Sequence, residues 1–212
     1  MDILDIHAHR PLYPQQAIQN ITPKFLPERL TGHYYSAGIH PWDIHLDTWQ
    51  NPWNLLVSSA SDADILAIGE TGLDKCCQTP FDIQLQVFEK HILLAEKLQK
   101  PLIIHCVRSF SEIMSIRKQG RSSVPWIIHG FRGNKILAEQ LLKHGFYLSL
   151  GEKYQEESLR SIPLTHLFLE TDDSQRDIHE LYKKAALLKQ IPADVFENAI
   201  KQNIQAVFFK SL

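Results

Sequence analysis

His7 and His9 stand two apart in an apolar run, Ile3-Leu4-Asp5-Ile6-His7-Ala8-His9. On an extended strand the side-chain period of two sends both imidazoles to one face, with Asp5 on that face as well. Two imidazoles so placed can ligate one metal ion. With 11 His in 212 residues, roughly 0.6 His-x-His pairs are expected by chance, so the pair alone is a weak signal. Four further ligand-type residues strengthen it, each closing another apolar run. His105 follows Pro-Leu-Ile-Ile and His129 follows Pro-Trp-Ile-Ile, while Glu70 follows Ala67-Ile68-Gly69 and Asp172 follows Leu169-Glu170-Thr171. A histidine in such a place can be a core residue donating to a backbone carbonyl. A carboxylate there is costly unless it is paired or bound to a cation. Four imidazoles and two carboxylates suit one or two divalent ions, Zn²⁺, Mn²⁺ or Mg²⁺, and Glu70 is suited to bridge a pair about 3.5–4 Å apart. Cys76, Cys77 and Cys106 have no zinc-finger spacing and read as reduced bystander thiols.

The elements that must position these groups are short apolar runs alternating with amphipathic segments. Residues 2–7, 17–21, 34–39, 64–69, 101–105, 124–129, 146–150 and 166–169 read as strands rich in Ile, Leu or Val. Thr79-Pro80-Phe81-Asp82 reads as an N-cap at Thr79, a Pro at the first helical position and an acid three residues after the cap, opening a helix with an apolar stripe at Ile83, Val87, Phe88, Ile92, Ala95 and Leu98. Ser109 with Glu112 reads as a capping box, Asn134 as the cap of a helix ended by Gly145, and Asp177 with Glu180 as a further start. Residues 192–209 close the chain as a helix. Such βα alternation demands a parallel sheet covered by helices. The polar interruptions fall at the C-terminal ends of the runs, which in a (β/α) barrel converge on one mouth. The expected fold is therefore α/β, a TIM-type (β/α) barrel in one domain spanning residues 1–212. A full barrel takes about 250 residues, so the first βα region, where residues 17–21 form a strand without a following helix, is expected to be abbreviated.

Composition narrows the function classes. The chain is 44% hydrophobic and 22% charged with only 9 Gly and 11 Pro, as ordinary globular proteins are. A net charge of −2 offers no broad footprint for long duplexes. No apolar stretch reaches the about 20 residues that span a bilayer, and the start Met1-Asp2-Ile3-Leu4-Asp5 has no basic or hydrophobic leader pattern. The expectation is a cytoplasmic protein with no membrane association and no obligate protein partner.

Six motifs in order carry a resemblance to the TatD-like metal-dependent deoxyribonucleases: Asp5-Ile6-His7-Ala8-His9, Gly38-Ile39-His40-Pro41, Gly69-Glu70-Thr71-Gly72-Leu73-Asp74, His105-Cys106-Val107-Arg108, His129-Gly130-Phe131-Arg132-Gly133 and Leu169-Glu170-Thr171-Asp172. The resemblance runs to the closing helix with Asn203 and Phe208. That family is similar to the amidohydrolase superfamily in having a metallo-barrel. The resemblance implies that His7, His9, Glu70, His105, His129 and Asp172 are metal ligands and that the substrate is DNA or a small phosphodiester. The chain departs from the family in its short first region and in following Asp172 with Asp173-Ser174-Gln175, changes that predict a wider or more acidic pocket.

The implied reaction is hydrolysis by a metal-activated water. Glu70 and Asp172 are the catalytic candidates; Asp172 either orients and deprotonates the water or is a plain ligand. Arg108, beside the helix start at Ser109, reads as a phosphate clamp or as a surface arginine. His40 is expected to line the substrate pocket. Trp42 offers a face for base stacking or serves as core filler. Two other readings stand beside the nuclease. One is a small-molecule amidohydrolase or lactonase on the same barrel, against which no Lys ends a ligand-bearing strand. The other is a binding module that has lost catalysis, against which all six ligand types are present.

Overall fold

A computed structural model describes residues 3–120 and 122–209; Asp2, the first residue of the first expected strand, lies outside the described residues. Its strands and helices are, in chain order, β1 (Asp5–Ala8), β2 (Ala17–Ile21), β3 (Tyr34–Ala37), α1 (Gln50–Ser59), β4 (Ile65–Asp74), α2 (Phe81–Leu98), β5 (Leu102–Val107), α3 (Phe110–Gln119), β6 (Trp126–Ile128), α4 (Lys135–Lys143), β7 (Phe146–Leu150), α5 (Glu156–Ser161), β8 (Leu167–Leu169), α6 (Ile178–Lys189) and α7 (Ala193–Phe208). The strands follow chain order in one eight-stranded sheet, and β1 with β2, β3 with β4, β4 with β5 and β7 with β8 pair in parallel. This is the expected (β/α) barrel class. Its first region is abbreviated as expected, since only 3-10 turns at Pro14–Gln16 and Pro23–Glu28 separate β1, β2 and β3.

Local signals held where nothing else competed for the capping group. Asn134 accepts from the Leu137 N–H at 2.9 Å and Asp177 from the His179 N–H at 2.8 Å. Gly145 follows the α4 C-cap at a φ of 75°, the left-handed turn that ends a helix. Two expected caps are corrected. The Ser109 hydroxyl donates to the Val107 and Leu73 carbonyls and does not cap α3, and Glu112 pairs with Lys75. Thr79 likewise does not cap α2; its hydroxyl donates 2.7 Å to the carbonyl of Pro41. The sequence reading also passed over α1, whose N-cap is Trp49 without a side-chain bond, and the six-residue α5. Among the described residues no helix is long and apolar enough to cross a membrane.

The chain divides into two compact units, Met1–Gln19 with Ile127–Leu212, and Asn20–Trp126. In the first, Leu148, Leu150, Leu167, Phe168 and Leu169 are buried, as are Phe196, Ile200 and Phe208 of α7, and the Phe168 and Phe208 rings meet edge-on at 5.7 Å. Asn203 fastens α7 by donating to the carbonyls of Leu164 and Leu167. The second unit is organised on β4 and β5. The expected strand over 64–69 in fact continues to Asp74, with Gly72 opposite His105 and Asp74 opposite Val107. Glu70 and His105 therefore lie within paired strands and not at their ends. Glycine makes this pairing possible. A Cβ on Gly69, at φ 135°, would lie 2.3 Å from the Ile103 carbonyl oxygen, and one on Gly72, at φ 146°, would lie 2.0 Å from that of His105.

His91 of α2 completes this unit. It is fully buried, its Nε2 accepts from the Ile39 N–H at 3.0 Å, and its Nδ1–H donates to the Val87 carbonyl at 2.7 Å. Burial lowers its pKa to about 4 against the Val87 bond, which raises it. A group neutral in the fold and protonated when unfolded contributes stability that is present above about pH 6.5 and lost as pH falls towards 4. The loss amounts to about 3 kcal/mol. Urea titrations are expected to show that decline for the native chain and a flatter profile for His91→Gln. Gly72→Ala is expected to lower unfolding free energy at neutral pH by about 2–4 kcal/mol, read from the same titrations.

Candidate metal centre

In the first unit, β1 directs His7 into the interior, and His9 follows just past the strand. His7 is wholly buried and the His9 side chain is partly exposed. Their rings meet edge-on at 5.3 Å. The Asp172 Oδ1 lies 3.7 Å from the His7 Nε2 and 3.5 Å from the His9 Nε2. Backbone bonds set that position: the Asp172 N–H donates to the His7 carbonyl at 2.9 Å, and the His9 N–H donates to the Asp172 carbonyl at 3.0 Å. Asp172 adopts a φ of 56°, a left-handed conformation that Asp tolerates better than most residues and that marks a position held by its surroundings.

His129 joins this cluster with its ring 4.2 Å from that of His7. Its Nδ1 lies 3.3 Å from Oε1 of Glu170, which also accepts from the Gly130 N–H at 2.6 Å. Glu170 is fully buried. Burial pushes its carboxyl up, but the hydrogen bond from His129 and the charges of His129 and His7 hold it below the ordinary range. The carboxylate thus engages one ring nitrogen of His129 and orients the ring. Asp5 acts as a clamp. It accepts from the Thr171 N–H at 3.1 Å and hydroxyl at 2.6 Å, tying β1 to the turn that presents Asp172. Burial raises its pKa to about 7, opposed by the bonds from Thr171.

The second unit builds a parallel arrangement. Glu70 Oε1 lies 3.0 Å from the His105 Nδ1 and 3.3 Å from the His40 Nε2. Asn20 holds Glu70 from the other side, its Oδ1 accepting the Glu70 N–H at 2.8 Å and its Nδ2 donating to Oε2 at 3.4 Å. The second nitrogen of His105, Nε2, lies 3.1 Å from Oδ2 of Asp74. Asp74 also accepts from the Trp42 indole N–H and the Cys76 N–H, each at 2.7 Å. Burial pushes the Asp74 carboxyl up, but these donors hold it below the ordinary range. The two ring nitrogens of His105 are thus shared between two carboxylates, Nε2 facing Asp74 and Nδ1 facing Glu70.

The donor spacing fits divalent ions. Two ligands bound to one tetrahedral ion at 2.0–2.1 Å are about 3.3 Å apart, and the carboxylate-to-imidazole distances in both clusters run from 3.0 to 3.7 Å. His7, His9 and Asp172 form one set whose ligand atoms all lie within 4.8 Å of one another, as do His129, Glu170 and Asp172, and as do His40, Glu70 and His105. All six expected ligands fall in these sets. Sequence reading missed the metal-cluster place of His40 and the backing roles of Glu170, Asp74 and Asn20. Only Glu170 carried a usable signal, a charge at the end of a buried strand. Neither cluster includes Arg108, which is exposed at a φ of 52° between β5 and α3. Cys106 stays a thiol, its pKa pushed up to about 12 mainly by burial.

The comparisons with known proteins agree with this chemistry. A family model described as TatD related DNase matches residues 26–209. The chain is 33% identical over 148 residues to the uncharacterized metal-dependent hydrolase YabD of Bacillus subtilis, covering 66% of this chain and 58% of that protein. It is 28% identical over 180 residues to the 3'-5' ssDNA/RNA exonuclease TatD of Citrobacter koseri, covering 79% and 68%. The match thus spans under two thirds of the first of these relatives. Among solved structures, the TatD homologue YJJV of Escherichia coli superposes with a TM-score of 0.84 at 21% identity, covering 99% of each chain.

The backing carboxylates give a test that leaves every expected ligand in place. Glu170→Gln and Asp74→Asn are each expected to weaken Mn²⁺ or Zn²⁺ binding about 10- to 100-fold by titration calorimetry. Thermal unfolding should confirm that both variants are folded.

Proposed function

Because the chain belongs to the TatD related DNase family, we propose that it is a divalent-metal-dependent phosphodiesterase that hydrolyses nucleic acid, with DNA or a small phosphodiester as substrate. The observation that carries this reading is the repeated arrangement of carboxylate and imidazole atoms facing each other 3.0–3.7 Å apart. Structural histidines have no need of a second ligand-type group at that distance. The Citrobacter relative is named as an exonuclease of single-stranded DNA and RNA, which supports a single-stranded substrate. The proposal treats residues 1–212 as one functional domain, since its fold class uses all eight strands.

In the proposal, His7, His9, His129 and Asp172 are the metal ligands of one cluster and Glu70 and His105 those of the other. The nitrogen-rich donor set favours Zn²⁺ or Mn²⁺ over Mg²⁺. When bound, such an ion supplies Lewis acidity and a water acidic near neutral pH. Asp172, whose side chain is 26% exposed, accepts the proton of the attacking water at its carboxylate. Glu70, with 5% side-chain exposure and both oxygens engaged, holds its partners in place. His40 faces the substrate beside Glu70, and exposed Arg108 meets a phosphate oxygen. Three free cysteines support a reducing, cytoplasmic setting.

Metal analysis of protein purified without chelator is expected to find bound divalent metal. Assays on bis-p-nitrophenyl phosphate and single-stranded DNA should show hydrolysis that falls at least 100-fold in His105→Ala and Glu70→Ala. Activity confined to amides or lactones would overturn the nuclease reading, and an inert, metal-free protein would overturn the enzyme reading altogether.

A further inference from the structure

Trp42 does not fill the core, the plainer of its two sequence readings. It is 64% exposed, although an indole is among the side chains that gain most from burial. Nor is it loose. Its indole N–H donates 2.7 Å to the buried Asp74, and its backbone N–H donates 3.2 Å to the His40 Nδ1. The carbonyl of the preceding Pro41 is held by the Thr79 hydroxyl at 2.7 Å. The ring stands nearly perpendicular to His40 at 4.9 Å and to His105 at 6.0 Å. An exposed aromatic ring fixed at three points has little left to lose in entropy when a flat ligand settles on it.

We propose that Trp42 is a preorganised stacking platform for one base of a single-stranded nucleic acid, set beside the His40–Glu70–His105 cluster. This rests on the nuclease reading for its choice of ligand. A base offers a π-face to stack on the exposed face of the indole, and its backbone carries the phosphodiester that the adjoining cluster would address. Stacking tolerates every base, so the platform confers a preference for unpaired strands and little preference for sequence. The anchoring through Asp74 ties the position of the ring to that of His105, because one carboxylate oxygen, Oδ2, takes both the indole N–H and the imidazole N–H.

The test reads equilibrium binding by fluorescence anisotropy, using short oligo(dT) in which every linkage is a hydrolysis-resistant phosphorothioate. Base–aromatic stacking of about 1–3 kcal/mol corresponds to a factor of about 5 to 150, and Trp42→Ala is expected to weaken binding by a factor in that range. Trp42→Phe keeps a face and loses the N–H, and is expected to stay within about threefold of the native chain. Strands carrying one abasic residue at successive positions should locate a position where the native chain loses the same factor and Trp42→Ala loses nothing more. Trp42→Ala binding as the native chain does would overturn the platform, as would Trp42→Phe binding as poorly as Trp42→Ala, or the native chain binding no strand. Hydrolysis of ordinary oligonucleotides with Trp42-independent binding leaves the nuclease reading standing and removes the platform. Trp42-dependent binding without hydrolysis under any metal does the reverse.

Discussion

A carboxylate sealed against an imidazole is the interaction on which the rest of this molecule turns. Glu170 and Asp74 are both nearly or wholly buried, and an ionised carboxylate survives in a protein interior only when several donors converge on it. Each meets that condition with a backbone N–H and a ring nitrogen: Gly130 and His129 for Glu170, Cys76 and His105 for Asp74. The same contact orients the ring. One nitrogen is committed to the carboxylate, and in His105 the other faces Glu70. Each unit of the chain has arrived at this arrangement with different residues, Glu in one and Asp in the other. The common factor is the chemistry of holding an imidazole ring in a chosen orientation.

Backbone geometry supplies the precision that these side chains require. β4 and β5 remain paired past Glu70 and His105 because Gly69 and Gly72 let the two strands approach to distances that any Cβ would prevent. Asp172 is held in a left-handed conformation by bonds to the carbonyl of His7 and from the N–H of His9. Its carboxylate is thereby carried by the same backbone that carries the two imidazoles it faces. Asp5 and Thr171 add a further tie within this unit. A candidate ligand set mounted on strands and the turns just past them, with those turns pinned, changes little in geometry when an ion or a substrate arrives.

Much of this was legible in the linear chain. Buried strands require apolar runs, so His7, His105, His129, Glu70 and Asp172 stood out as interruptions whose presence needed a reason. The 17–21 strand and the missing helix after it were visible in the same way. The Asn134 and Asp177 caps were legible because a cap joins residues only two or three apart. Those of Ser109 and Thr79 misled, since distant carbonyls of Leu73 and Pro41 took their hydroxyls. Trp42 misled for a related reason: apolar character suggests burial, and a carboxylate 32 residues away takes the indole N–H of a ring that stands at the surface.

By itself, then, the sequence determined the alternation of elements, the class of fold and the kinds of ligand on offer, all of which follow from local periodicity and from the cost of burying charge. The tertiary structure alone decided which carboxylate backs which imidazole, that His40 stands with Glu70 and His105, and that Asn20 steadies Glu70. Those pairings join residues 30 to 65 apart. They depend on strand register and on turns held by distant partners, and no short stretch of chain contains that information.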